Sequence, residues 1–134
     1  SKLFRNLKKG DAKNEVIQYF GLKKFYELEN WMLCFTNLRN ICAHHGRLYN
    51  RRFTAKPKLP YNTVHPLFSK IQTKEVFANK FYAVMCCLIY TCLQIDSESF
   101  IADDFKGLLQ NAPLTITEDM GIPDEWETHD IWNR

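Results

Sequence analysis

The residues best suited to chemistry lie between positions 38 and 50. This segment reads Leu-Arg-Asn-Ile-Cys-Ala-His-His-Gly-Arg-Leu-Tyr-Asn, and it places Arg39, Asn40, His44, His45 and Arg47 within nine positions. An imidazole can take or give a proton near neutral pH, and a guanidinium presents a rigid fork of N–H donors to phosphate oxygens. This combination indicates binding of a phosphodiester and proton transfer at it.

The apolar periodicity predicts that this segment belongs to a long helix from about residue 24 to residue 50, fraying toward Arg52. At about 100° per residue, a core-facing stripe gathers around Leu38. It contains Trp31, Cys34, Phe35, Ile41, Cys42, His45, Leu48 and Tyr49. The remaining arc is polar and basic, with Arg39, Asn40, Ala43, His44, Arg47, Asn50 and Arg51. His45 is therefore predicted to be a structural histidine that packs and hydrogen-bonds, whereas His44 is predicted to face a ligand.

The string from Leu38 to Arg51, with its Arg39-Asn40-x-x-x-His44 core, resembles the signature of Abi-like proteins (abortive infection, AbiD/AbiF type) of the HEPN superfamily. The similarity extends to residues 1–22, with Lys-Leu-Phe-Arg-Asn-Leu at 2–7 and Tyr-Phe-Gly-Leu at 19–22. It also includes Met-Gly-Ile-Pro-Asp-Glu-Trp at 120–126 and Ile-Trp at 131–132. Because proteins of this branch commonly have a further N-terminal half, we expect the chain to be the C-terminal portion of a longer protein.

The resemblance implies an all-α, HEPN-type helical bundle that dimerises across the motif helix and often acts as a metal-independent endoribonuclease in phage defence or toxin systems. RNA carries its own nucleophile, the 2′-OH. An enzyme therefore needs only to remove that proton, stabilise the charged phosphorane and protonate the leaving 5′-oxygen. By this resemblance His44 would be the acid or base, Arg39 would stabilise the oxyanion, and Asn40 would orient the imidazole or the phosphate.

Helix geometry adds an expectation of dimerisation. Arg39 and His44 lie about 140° apart on one helix, so a single helix does not easily direct both side chains at one phosphate. Two copies related by a two-fold axis could do so, with Ala43 as the small residue that permits close approach. A composite site in a homodimer is therefore expected.

Cations continue beyond the motif. The twelve residues from 47 to 58 contain no acid, whereas acidic residues concentrate in the C-terminal third. We predict that this strip contacts RNA phosphates through Arg47, Asn50, Arg51, Arg52, Lys56 and Lys58. Three alternatives remain open: a solvated helix end and loop, a face that binds RNA or protein without cleavage, and a purely structural dimer surface. An antitoxin or a non-coding RNA is a further candidate partner.

Composition sets broad limits on the fold. With 134 residues, of which 46% are hydrophobic and 25% charged, the chain can form one globular domain spanning residues 1–134. Residues 113–134 are expected to form a tail held on the bundle by Trp126 and Trp132. A net charge of +3 is too small to identify a nucleic-acid-binding protein by itself.

Cysteine usage and hydropathy indicate a cytoplasmic protein without cofactors. Five cysteines without regular spacing favour reduced thiols, and they do not match zinc-ligand patterns, so neither a metal nor another cofactor is predicted. The longest apolar stretch, Phe81 to Leu93, is too short to span a bilayer, and no signal peptide opens the sequence.

The remaining pattern predicts helices at about 11–20, 66–71, 74–95 and 97–110, the third apolar nearly all round and central to the core. Asp11 is the predicted N-cap of the first helix and Gly21 its C-terminal stop, while Asp96-Ser97 should end one helix and cap the next. Pro57, Pro60 and Pro66 predict a loop after the motif helix. One piece, residues 114–117, alternates like a strand.

Overall fold

The computed structural model describes residues 10–59 and 79–133, and the predicted all-α class is confirmed. The helical elements are α1 (Asp11–Tyr19), α2 (Phe25–Ala43), α3 (Phe81–Ile95), α4 (Ile101–Gln110) and α5 (Leu114–Asp119), followed by the 3₁₀ turns Trp126–Thr128 and Asp130–Trp132. These ranges contain no strand. The helix predicted near 66–71, and Pro60 and Pro66 of the predicted loop, lie outside the described residues.

Helix α1 ends where the sequence predicts. Gly21 adopts a φ of 63°, its N–H donates to the Gln18 carbonyl, and the Leu22 N–H donates to the Ile17 carbonyl at 3.1 Å. This is a Schellman motif, in which a residue in the left-handed conformation satisfies the last carbonyls of a helix. The N-cap prediction is wrong, because Gly10 holds that position and Asp11 lies in the first turn, where a carboxylate still interacts favourably with the helix dipole.

Helices α2 and α3 form the centre of the core. The buried side chains of α2 recur every three or four residues, at Leu28, Trp31, Cys34 and Leu38, and so form one face. Helix α3 is buried on nearly all sides, as its composition predicts. The Trp31 ring meets the Tyr90 ring edge-on at 5.9 Å, so the two helices interlock through large apolar side chains.

The boundary between α3 and α4 differs from the prediction. Asp96 ends α3 as expected, but Ser97 does not hold the N-cap of α4, because that helix begins only at Ile101 and Phe100 precedes it. The Asp96 carboxylate accepts a hydrogen bond from the Glu98 N–H at 3.0 Å. Such a side-chain bond offers the backbone an alternative to the helix, and it keeps the segment after Asp96 in a turn.

The residues with a strand-like pattern form helix α5 instead. The Pro113 carbonyl accepts hydrogen bonds from the N–H groups of Ile116 and Thr117, and these bonds close a helical turn. An alternating pattern of only four residues is too short to specify a strand. Further along, Trp126 and Trp132 are both buried, with their rings 5.6 Å apart. These contacts hold the end of the described chain against the core.

A buried polar group joins that end to α3. The Trp132 indole N–H donates to the Tyr82 hydroxyl at 3.0 Å, and the same hydroxyl lies 2.9 Å from Nδ1 of the buried His129. Burial raises the pKa of the Tyr82 hydroxyl well above its ordinary value, so the hydroxyl keeps its proton. No helix in the described ranges combines the length and the apolar character needed to cross a membrane.

Candidate functional site

Helix α2 ends earlier than the sequence predicts, at Ala43 rather than near residue 50. His44 occupies the C-cap, and His45 follows in the left-handed conformation with a φ of 54°. The His45 N–H donates to the Cys42 carbonyl, and the Gly46 N–H donates to the Ile41 carbonyl at 2.7 Å. These two bonds form a second Schellman motif, with histidine in the position that glycine usually holds.

Gly46 makes this sharp turn possible. A Cβ atom at this position would lie 2.7 Å from Cγ2 of Ile41 and 3.0 Å from its carbonyl oxygen, so the backbone passes too close to α2 for any side chain. The sequence carried this signal, because a glycine inside a helical pattern often marks the helix end. Because Leu48 and Tyr49 continue the apolar periodicity beyond Gly46, the pattern predicts a longer helix than the structure has.

The predicted packing of His45 in the core is wrong. His45 is exposed, since the chain has already left the helix and the helical wheel no longer describes its direction. Burial fades through the last turn of α2: Leu38 is buried, Ile41 is half-buried and Cys42 is exposed. The contribution of His45 to structure is made by its main chain, which terminates the helix.

Beyond this turn the chain reverses and runs back along α2. We call residues 47–59 the strap. The Asn30 amide donates to the Lys56 carbonyl at 3.0 Å and accepts from the Lys58 N–H at 2.6 Å. The Trp31 indole N–H donates to the Lys58 carbonyl at 2.8 Å. The basic strip therefore lies beside α2, whereas the predicted helix to residue 50 would have made the strip continuous with that helix. Two side chains of α2 anchor it.

A groove of about 370 Å³ lies between the strap and the last two turns of α2. Its lining residues are Asn37, Asn40, Ile41, Arg51, Arg52, Phe53 and Thr54. The structure thus brings three predicted site residues together: Asn40, Arg51 and Arg52. Sequence reasoning missed Asn37 and Thr54, although the spacing of Asn37 and Asn40 by three residues, which places both on one helix face, was a usable signal.

The motif residues form a short chain of neighbours beside this groove. Arg39 donates from Nη1 to Oδ1 of Asn40 at 3.1 Å, which leaves the Asn40 NH₂ group to donate elsewhere. The His44 N–H donates to the Asn40 carbonyl, and the two residues are four positions apart. Arg39, Asn40 and His44 are all exposed, and neither Arg39 nor His44 lines the groove.

The other predicted RNA-binding residues belong to the strap and do not line the groove. Arg47, Asn50, Lys56 and Lys58 are exposed. The Arg47 guanidinium lies 5.7 Å from the Tyr49 ring centroid, and the Lys58 ammonium lies 4.4 Å from that of Tyr26. The Lys58 contact holds its ammonium group near α2, whereas the Arg47 contact is made within the strap, and both cations stay accessible to an anion.

The buried cysteines are not suited to act as nucleophiles. Burial raises the pKa of the Cys34 thiol to about 11 and that of the Cys86 thiol to about 12, so both stay protonated and inert. Cys42 is the exposed cysteine of α2. Across residues 10–59 and 79–133, no three His, Cys, Asp or Glu side chains are grouped so that they could hold a metal ion.

Fold and site together define an all-helical protein whose Arg-Asn-x-x-x-His motif lies at the end of a core helix. The family model described as Abi-like protein matches residues 1–50, a range that includes α1, α2 and the motif. The resemblance to Abi-like proteins is thereby confirmed over that segment, and the all-helical architecture is compatible with the HEPN superfamily. No curated protein and no solved structure matches the chain.

Proposed function

We propose that this chain is a HEPN-type domain of an abortive-infection protein that cleaves RNA without a metal ion, through attack of the RNA's own 2′-OH group. The observation that supports this proposal is the position of His44 at the exposed end of α2, four residues after Asn40 and beside a groove that contains Arg51 and Arg52. A proton-transfer group thus lies next to phosphate-binding groups on an open surface.

The proposed reaction requires two proton transfers. One imidazole removes the proton from the 2′-OH as the oxygen attacks phosphorus, and an acid gives a proton to the departing 5′-oxygen. Arginine guanidinium groups stabilise the charge that builds up on the phosphorane oxygens. The products are a 2′,3′-cyclic phosphate and a 5′-hydroxyl. His44 of one copy supplies one of these two groups, water supplies the other, and Arg39 of the second copy stabilises the phosphorane.

The exposed face of α2 supports the proposed homodimer. Met32 and Leu33 are 42% and 55% exposed, and each lies seven residues, or two turns, before a motif residue, Arg39 or Asn40. The small side chain of Ala43 is exposed on the same arc. Apolar side chains of this kind on an open helix face are suited to pack against a second copy. Such packing would bring the Arg39 of one copy toward the His44 of the other.

A second candidate function is RNA binding without cleavage. It is favoured by the strap, which presents Arg51, Arg52, Lys56 and Lys58 as exposed cations along α2 without any need for His44. Contacts of this kind would make affinity fall steeply with salt concentration. The same surface could hold a non-coding RNA partner or, with different chemistry, an antitoxin protein.

A cleavage assay separates the two functions. The longest available native chain is incubated with structured and single-stranded RNAs in excess EDTA, and the product ends are analysed. We expect cyclic phosphate ends, and we expect His44→Ala to lower the rate at least about a hundredfold, the lower limit for loss of a general acid or base. The matched control is His45→Asn, which keeps an exposed polar side chain that tolerates the left-handed conformation. RNA that is retarded on a gel but remains intact would contradict the nuclease and support the binding module.

A further inference from the structure

We propose that the groove between α2 and the strap binds one nucleotide of the RNA strand and that Asn37 reads its base. This inference rests on the proposed function, because it identifies how the same surface would select its substrate. It adds a specificity-determining residue, Asn37, that lies outside the Arg39-Asn40-x-x-x-His44 motif.

The size and lining of the groove fit one nucleotide. Its volume, about 370 Å³, lies at the lower end of the range for small-molecule sites, roughly 300–1,000 Å³. The floor is apolar, with the half-buried Ile41 and the buried Phe53. The rim carries amide, hydroxyl and guanidinium groups from Asn37, Thr54, Arg51 and Arg52. Apolar contact with a base, hydrogen bonds to its edge and charge for a phosphate are thus all available.

The side-chain amides of the two groove asparagines, Asn37 and Asn40, differ in how many of their hydrogen-bonding groups are available to a ligand. Oδ1 of Asn40 accepts a hydrogen bond from Arg39, so half of that amide is occupied. The half-buried Asn37 amide makes no hydrogen bond with another residue of the described ranges, so both its donor and its acceptor can serve a ligand. An amide that donates and accepts side by side matches the edge of adenine, its usual partner among bases. Adenine is therefore the expected base.

The two ends of the groove differ, and this difference predicts the orientation of the bound nucleotide. A Cβ atom at Gly46 would lie 3.3 Å from Nη1 of Arg51, which places this guanidinium beside the turn that follows His44. Asn37 lies seven residues before His44, or about 10 Å along the helix axis. The phosphate would thus lie at the helix end near His44, and the base would lie near Asn37. A base bound there would set the position of cleavage.

Binding measurements with uncleavable RNA test this assignment separately from catalysis. Short 2′-O-methyl oligoadenylate, oligocytidylate and oligouridylate are titrated with the full chain, and fluorescence anisotropy reports the affinity. We expect wild type to prefer oligoadenylate about tenfold, as for one good amide–base contact. Asn37→Ala should remove this preference and leave the affinity for oligouridylate unchanged. Arg51→Ala should weaken binding of all three oligomers.

The matched control is Asn14→Ala, which removes an exposed asparagine on α1. It should bind all three oligomers like wild type, and thermal unfolding should show that each variant is folded. An adenine preference that persists in Asn37→Ala, or wild-type binding without any preference, would overturn the inference. Failure of wild type to bind any oligomer would instead overturn the proposed function. Displacement of oligoadenylate by adenosine monophosphate at equal nucleotide concentration would assign the groove to a free nucleotide and overturn its role in RNA binding.

Discussion

Helices α1 and α2 each end in a Schellman motif, but the residue in the left-handed conformation differs between the two motifs. At the end of α1, Gly21 takes the left-handed conformation, and the next residue, Leu22, is buried in the core together with Ile17. At the end of α2, His45 takes that conformation, and the next residue is Gly46. The first turn gains an apolar contact and is unstrained, whereas the second keeps a side chain in an unfavourable backbone region, a cost of roughly 1–2 kcal/mol.

This difference separates a turn that stabilises the fold from one that positions the proposed RNA site. Backbone strain persists where the surroundings impose it, and it concentrates at functional sites. The strained turn holds His44 at an open helix end and brings Arg51 back beside Gly46. The unstrained turn instead connects α1 to the core, where the Phe20 carbonyl accepts a hydrogen bond from the Tyr90 hydroxyl at 2.8 Å.

The largest expected contrast lies between two cysteines of α2. Cys34 is buried and its thiol pKa is raised to about 11, whereas Cys42 is exposed near the strained turn. In the native protein, iodoacetamide should modify Cys42 on the order of a thousandfold faster than Cys34, because Cys34 becomes accessible only when the domain opens. Peptide mass spectrometry over time measures both rates. Similar rates for the two thiols would show that the middle of α2 is as open as its end.

A smaller effect is expected from filling the close approach at Gly46. Gly46→Ala should lower the free energy of unfolding by about 1–3 kcal/mol, because the new Cβ atom meets Ile41 and the turn must shift. Urea denaturation measures this change. Gly107→Ala in α4 is the control, since nothing lies within 4 Å of a Cβ added there and alanine is favoured over glycine inside a helix, so this variant should not lose stability. Equal losses of stability in the two variants would contradict a specific role for the close approach of Gly46 to Ile41.

The smallest expected effect distinguishes the two left-handed residues directly. His45→Gly should raise the free energy of unfolding by about 0.5–1 kcal/mol, since relief of strain exceeds the added entropy of the unfolded chain. Gly21→Ala should lower it by about 1 kcal/mol for the opposite reason. Thermal and urea unfolding of both variants measure the pair. A loss of stability in His45→Gly would mean that the exposed imidazole makes a favourable interaction that outweighs the strain.

The sequence predicted the elements whose signals are local. Gly21 marked the end of α1, and the continuous apolar run marked α3 as central. It did not predict the end of α2, because Leu48 and Tyr49 carry the helical spacing past Gly46. Both are partly buried against the core, but they reach it from the strap. Their apolar character thus serves packing of the strap on the core, although their spacing is the one that a continued helix would show.

The groove could not be predicted for the same reason. The sequence places Asn40 in the motif and Arg51 and Arg52 in the basic strip, but their convergence depends on the reversal of the chain at His45 and Gly46. Asn37 becomes notable only when the strap lies opposite it. The sequence identifies the residue types of the motif. It does not predict the groove, because the groove depends on the turn at His45 and Gly46 and on the hydrogen bonds by which Asn30 and Trp31 anchor the strap.

The most direct test of the composite site mixes two inactive variants. Arg39→Ala and His44→Ala chains are prepared separately, unfolded and refolded together, and assayed for RNA cleavage in excess EDTA beside each variant refolded alone. If one copy supplies Arg39 and the other supplies His44, a mixed dimer regains one intact site. The mixture should then recover about a quarter of wild-type activity, from random pairing of two kinds of chain in a two-fold dimer. A mixture as inactive as its components, while wild type treated identically cleaves RNA, would contradict a site shared between two copies.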